Sequence, residues 1–263
     1  MHTVDLIHVT PDAEQLIAYM ARVSNPANQD STNYTGLIKY LIKHKHWSPF
    51  EMVNMCVEIN TTRSVASQIL RHRSFSFQEF SQRYAAVMAE PVIPNLRRQD
   101  TKNRQNSIDD LDPFTVQDLQ LKAKQLFELN KKLYDEMLAA GVAKECARDV
   151  LPLSSPTKLY MNGTLRSWIH YIDLRTANGT QYEHQQVAQG AKDLVKNAFP
   201  IIYNAVWGTL SLFGLYVPLI WLVCKAAYVF GNTYHRISMI MSSLRCVNRI
   251  IGRNRPLNFD IIF

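Results

Sequence analysis

Residues 68–84 read Gln-Ile-Leu-Arg-His-Arg-Ser-Phe-Ser-Phe-Gln-Glu-Phe-Ser-Gln-Arg-Tyr. Arg71, Arg73 and Arg83 are permanently charged forks suited to phosphate oxygens. His72, between two of them, adds a donor whose charge its surroundings can tune. Hydroxyls and the rings of Phe75, Phe77 and Phe80 are interleaved with this charge, so an anionic, planar ligand is the natural guest. A solvated basic run is the plain alternative for such a stretch. The apolar pairs Val65/Ile69 and Ala66/Leu70, four apart, predict a helix leading into it, from another face of which Gln68 and Arg71 project together. Ser74 to Phe77 then alternates as an extended segment, which turns Glu79, Ser81 and Arg83 to a common side.

Upstream, Val4 to Val9 reads as a strand, and Thr10 and Pro11 predict the cap and first residue of a helix running to about Val23. Leu37, Ile38, Leu41 and Ile42 recur at helical spacing. Val53, Met55, Val57 and Ile59 alternate with polar residues as in a half-buried strand. Downstream, residues 90–113 carry three prolines and read as a long loop. Asp112-Pro113 opens a helix whose apolar stripe, Leu119, Leu126, Leu129, Leu133 and Met137, is expected in the core, and Gly141 closes it. A short helix from about Val142 to Val150 carries Arg148. Thr157 to Asn162 reads as a strand, and Thr164 caps a helix with Leu165, Trp168, Ile169 and Ile172 as its buried stripe. Gln181 to Phe199 forms a last helix.

Arg71-His72-Arg73, seven residues and then Ser81 is the pattern of the flavin-dependent thymidylate synthases, which this chain resembles over roughly residues 1–200. His46-Trp47-Ser48-Pro49-Phe50-Glu51 resembles that family's His-x-Ser/Thr-Pro-Phe-Glu loop. Arg148-Asp149-Val150-Leu151-Pro152 and Leu165-Arg166-Ser167 through Asp173-Leu174-Arg175 resemble its later blocks. The resemblance implies an α/β (α+β) subunit with a mixed sheet and long helices, assembled as a homotetramer with active sites shared between chains. It implies FAD-dependent reductive methylation of dUMP to dTMP, with methylenetetrahydrofolate giving the carbon and NAD(P)H the hydride. By position, His46, Ser48, Arg71, His72, Arg73, Glu79, Thr164, Arg166 and His170 are implied to line the flavin. Gln68, Arg71, Glu79, Ser81, Gln82, Arg83, Arg148 and Arg175 are implied to hold dUMP. Arg175 is the expected stabiliser of negative charge developing on the pyrimidine, and Ser81 positions the nucleotide. The flavin does the hydride chemistry, which leaves the protein the task of holding two rings face to face.

The net charge of +7 suggests a polyanion partner, yet from residue 225 onward six cations stand against one acid, so the body is nearly neutral. A nucleic-acid partner is therefore not expected; a basic single-stranded nucleic-acid-binding protein and an inactive structural homologue are the competing readings. Cys56, Cys146, Cys224 and Cys246 form no Cys-x-x-Cys pair, and His44 with His46 lacks a carboxylate-rich neighbourhood, so no metal is expected. Reduced thiols and a start without a secretory pattern fit the cytoplasm. None of the cysteines has the setting of a catalytic nucleophile: Cys146, between Lys144 and Arg148, is the nearest challenger, and packing against Ala143 and Val150 is its expected role. Residues 201–263 read as an atypical extension, hydrophobic and then basic. Ala205 to Cys224 is uncharged over twenty residues, but Gly208, Gly214 and Pro218 interrupt it, and a span there would put the basic tail and the enzyme on opposite sides. Peripheral packing is favoured over membrane contact.

Overall fold

A computed structural model of the chain describes residues 2–208. The chain divides into two compact units, residues 1–203 and 204–263. The reading of the hydrophobic and basic tail falls almost wholly outside the described residues. Among the described residues no helix is long and apolar enough to cross a membrane.

Four strands build the central sheet: β1 (Thr3–Val9), β2 (Asn54–Thr62), β3 (Phe75–Glu79) and a later strand, Pro156–Thr164, which is β6 once the short strands β4 (Arg98–Gln99) and β5 (Ser107–Ile108) are counted. The order is β1-β2-β6-β3, and every pairing is antiparallel. The expected α/β (α+β) class is present, but the sheet is antiparallel rather than the mixed one the resemblance implies, because β2 and β6 are direct neighbours and β1 and β3 add antiparallel at the two edges. β2 and β6 carry the period-2 pattern, and their inward residues Met55, Val57, Ile59, Leu159 and Met161 are fully buried. Outward, Lys158 Nζ meets Glu58 at 2.7 Å across the strands.

Helices cover the inner face. α1 (Ala13–Ala21) and α2 (Thr35–Lys43) bury Ile17, Ile38 and Leu41. β2 runs directly into α3 (Arg63–Ile69), and β6 runs directly into α6 (Leu165–Arg175). At the second junction the Thr164 hydroxyl accepts from the Ser167 amide, as its cap position predicts. The stripe expected on α6 is buried, and Trp168 pins the helix by donating its indole N–H to the Met55 carbonyl at 2.9 Å. α7 (Tyr182–Ala198) adds Val187, Ala188, Ala191 and Val195 before α8 (Pro200–Val206). Each fully buried valine, leucine or isoleucine contributes about 1.5–3 kcal/mol, and each alanine less.

Four local expectations are corrected. Thr10 does not cap α1: its hydroxyl accepts from the Asn54 amide at 2.9 Å, and the chain enters the helix through Asp12 in the left-handed region at φ 49°. The extended run after the Arg-His-Arg motif stops at Glu79, and Ser81 opens a turn in which its carbonyl accepts from the amides of Tyr84 and Ala85. Ser81 and Arg83 therefore do not continue a strand face. The long loop contains the hairpin β4–β5. The 27-residue helix α4 (Pro113–Ala139) starts at its Asp112 cap as predicted, but its leucine stripe is not in the core: Leu129 is 64% exposed, and Leu119, Leu126 and Leu133 are exposed too. α4 buries Tyr134, whose hydroxyl accepts from the Val87 amide at 3.0 Å, beside Ala147 of α5 (Lys144–Ala147).

Gly163 in β6 lies under the ring of Phe75 in β3, and an added Cβ there would sit 2.7 Å from Phe75 Cε1. Gly163→Ala is expected to cost about 1–3 kcal/mol by overpacking. Urea denaturation measures this, and an unchanged midpoint would show that the ring has room to move.

Candidate active site

The Arg-His-Arg motif lies in the turn between α3 and β3 and faces the end of α6. Arg175, the last residue of α6, donates its Nε–H to His72 Nε2 at 2.8 Å. A guanidinium can only donate, so His72 is neutral at that nitrogen and carries its proton on Nδ1. Burial, then the Arg175 charge and then His170, hold the His72 pKa down to about 4. Its ring stands edge-on to Tyr171 at 4.9 Å. Among the described residues no carboxylate pairs with Arg71, Arg73 or Arg175. Arg71 and Arg73 are exposed. Arg175 held against a neutral imidazole, with exposed Arg71 and Arg73 on either side of His72 in the turn, gives this segment a cationic character suited to a phosphate-bearing planar ligand.

The other predicted residues fall into two further groups. Glu79 is held by Arg63 at 2.6 Å and by the Thr157 hydroxyl at 2.9 Å, and Arg63, Gln82 and Arg148 line one cleft of about 310 Å³ with Leu151 and Leu153. Gln82 is buried there. Arg83 leans away onto Glu145 at 3.3 Å, an exposed pair worth little in itself. Arg166 is paired with Glu51 of the 3-10 turn Ser48–Glu51, which ties the His46–Ser48 loop to the start of α6 beside Thr164. His46 lies in an exposed aromatic cluster, edge-on to Tyr40 at 5.8 Å and tilted against His44. His170 is exposed midway along α6. Gln68 and Arg63 share α3, so that helix joins the first two groups.

Ser81 has no base on its hydroxyl among the described hydrogen bonds, and the nearby His72 acceptor is occupied by Arg175. Cys146 is exposed rather than packed against Ala143 and Val150, because α5 is a single turn with only Ala147 buried. Cys56 is half-buried, with burial pushing its thiol pKa up. Burial disfavours the Cys56 thiolate, and among the described hydrogen bonds neither thiol has a base in reach.

Two residues that no motif marks complete the site. His184 of α7 is fully buried, and its Nε2 lies 3.1 Å from the Tyr171 hydroxyl while its Nδ1 lies 3.3 Å from Gln68 Oε1. Burial, and then the charges of Arg175 and His72, push its pKa down to about 3. Burial also pushes the Tyr171 phenol upward, so both stay neutral. The Arg175-to-helix register could have hinted at Tyr171, four residues earlier on the same face; nothing local distinguishes His184.

A family model described as thymidylate synthase complementing protein matches residues 5–201. The probable flavin-dependent thymidylate synthase of Paramecium bursaria Chlorella virus 1 is 52% identical over 195 residues, 74% of this chain and 90% of that one. The chain belongs to the flavin-dependent thymidylate synthase family. The flavin-dependent thymidylate synthase of Synechocystis sp. is 51% identical over 73% of this chain and 89% of its own length. A crystal structure of a UMP/dUMP methylase from Streptomyces cacaoi bound with 5-Br dUMP superimposes with a TM-score of 0.70 at 28% identity, covering 78% of this chain and 94% of that one. The fold of this family member is thus that of a nucleotide methylase.

Proposed function

We infer that this chain is a flavin-dependent thymidylate synthase that methylates dUMP to dTMP in dTMP biosynthesis, with FAD as the flavin, methylenetetrahydrofolate as carbon donor and NAD(P)H as reductant. The observation that carries the reading is Arg175, a guanidinium held by neutral His72 on the family motif with no carboxylate to cancel its charge. The flavin fits the donor set: Arg71 and Arg73 offer exposed, unpaired cations for its diphosphate, with His72, His170, Arg166, Thr164, Glu79, His46 and Ser48 as further members of its binding surface. Bound flavin supplies a hydride taken from the nicotinamide. The chain does the rest. Gln68, Arg71, Glu79, Ser81, Gln82, Arg83 and Arg148 bind and orient dUMP, and Arg175 stabilises negative charge as it develops on the pyrimidine, which makes C5 nucleophilic without a covalent bond to the enzyme.

The Arg166, His46 and Ser48 group, which stands apart from the two groups that α3 joins, together with the exposed leucines of α4, supports a homotetramer in which neighbouring copies cover that stripe and complete each site. Residues 1–200 form the catalytic domain in this reading, residues 201–263 a peripheral extension, and the enzyme works in the cytoplasm without nucleic acid as a partner.

Formation of dTMP from dUMP by the purified protein, dependent on methylenetetrahydrofolate and NAD(P)H, tests the reading, and no dTMP with all components present would overturn it. Cys146→Ala is expected to keep near wild-type turnover. Ser81→Ala loses one positioning hydrogen bond and is expected to raise the KM for dUMP about tenfold with measurable kcat. A covalent dUMP adduct on either residue, trapped by acid quench and found by mass spectrometry, would contradict both expectations.

A further inference from the structure

One hydrogen-bonded chain runs from the β4–β5 hairpin to the core behind the motif. Arg97, which also donates to the Ser107 hydroxyl of β5 at 2.8 Å, grips Glu183 through both terminal nitrogens at 2.7 and 3.0 Å. Gln181 donates its amide to Glu183 Oε2 at 2.8 Å, and Gln68 donates its own to Gln181 Oε1 at 2.5 Å. His184 Nδ1 lies 3.3 Å from Gln68 Oε1, and the Tyr171 hydroxyl lies 3.1 Å from His184 Nε2.

The direction of every bond is fixed from the Arg97 end. A guanidinium only donates and a carboxylate only accepts, so the Gln181 NH2 must face Glu183 and its carbonyl must face Gln68. The Gln68 NH2 then faces Gln181 and its carbonyl faces His184. His184 must therefore donate from Nδ1 and accept at Nε2 from the Tyr171 hydroxyl. A flipped Gln68 amide would set carbonyl against carbonyl at Gln181, leaving both oxygens unpaired, and would force His184 into its other tautomer with Nε2–H turned to the Tyr171 hydroxyl.

We propose that His184 and Gln181 are positioning residues that lock the Gln68 amide in one orientation, so that its second N–H is presented to the nucleotide. The proposal rests on the reading that Gln68 contacts dUMP. It makes the recognition of the nucleotide depend on a buried histidine on α7 and on a carboxylate anchored by the hairpin, neither of which touches the substrate.

The test is equilibrium binding of dUMP to the flavin-loaded protein, together with the split between KM and kcat. His184→Asn keeps a donor at the Nδ1 position and His184→Gln keeps an acceptor at the Nε2 position, so a merely structural role moves both alike. The lock is expected to leave dUMP affinity in His184→Asn within about threefold of wild type and to weaken it about tenfold in His184→Gln, with kcat little changed. Gln181→Leu, on an exposed side chain, is expected to weaken dUMP about tenfold and carries the same test where the core variants fail to fold. Equal affinities in the two His184 variants, or an unchanged Gln181→Leu, overturn the proposal. Gln68→Ala separates the two levels: if it leaves dUMP binding unchanged, the assignment of Gln68 to the nucleotide is what fails; if it weakens binding while Gln181→Leu does not, the lock alone fails.

Discussion

Arg175→Ala is expected to lower kcat/KM for dUMP by about 10³-fold, far more than Ser81→Ala, because in the proposed mechanism Arg175 is the fixed charge set against the reacting ring. His72 is what aims that charge. Its Nε2 takes the Arg175 Nε–H, which leaves the two terminal nitrogens of the fork for a pyrimidine oxygen. Arg175→Lys keeps a charge at the C-terminal end of α6 but loses the Nε–H that His72 accepts, so it is expected to recover only a small part of the activity. Flavin content and the far-ultraviolet dichroism of both variants should match wild type. An Arg175→Ala enzyme within tenfold of wild type would remove Arg175 from the chemistry.

Acidification should unfold this protein through His184. In the folded chain its pKa is about 3, against an ordinary value of 6.5, because burial disfavours the imidazolium. The unfolded chain therefore binds the extra proton between these two values. Stability is complete above pH 6.5 and falls as the pH drops below it, at up to about 1.4 kcal/mol per pH unit until the folded pKa is reached. From pH 7 to pH 5 the loss is on the order of 2 kcal/mol. His72, half-buried and lowered to about 4, acts in the same direction with a smaller share because solvent screens it. Glu14, whose pKa burial raises, works the opposite way nearer the carboxylate range, so the window above pH 5 is the one to use. Urea midpoints measured across that window should fall steeply in wild type and less steeply in His184→Gln. Parallel slopes in the two proteins would mean that another group governs the acid transition.

How much of this was legible in the sequence depends on the range of the interaction. The alternation in β2, the strand at Thr157 to Asn162, the Thr164 and Asp112 caps and the stripe on α6 are local, and each lies where the sequence puts it. The Arg-His-Arg motif located the site because its spacing is a family signature. His184 escaped notice because its partners Gln68 and Tyr171 come from other helices, the first of them 116 residues away, and a lone histidine on an amphipathic helix reads as ordinary packing. The α4 leucines were misplaced for a different reason: a periodic stripe shows that a face is to be covered but not whether the cover comes from the same chain. Ser81 and Arg83 were given a strand's alternation, which the turn at Ser81 interrupts. The hairpin within the long loop pairs only two residues per strand, too few for any period to register.

Anaerobic single turnover followed by absorbance bears most directly on the function. The purified protein loaded with FAD should be yellow, bleach on addition of NAD(P)H, and regain its flavin bands only when dUMP and methylenetetrahydrofolate are both present, with about one dTMP formed per flavin reoxidised. A protein that takes up no flavin, or whose reduced flavin is reoxidised without dTMP appearing, would contradict the assignment.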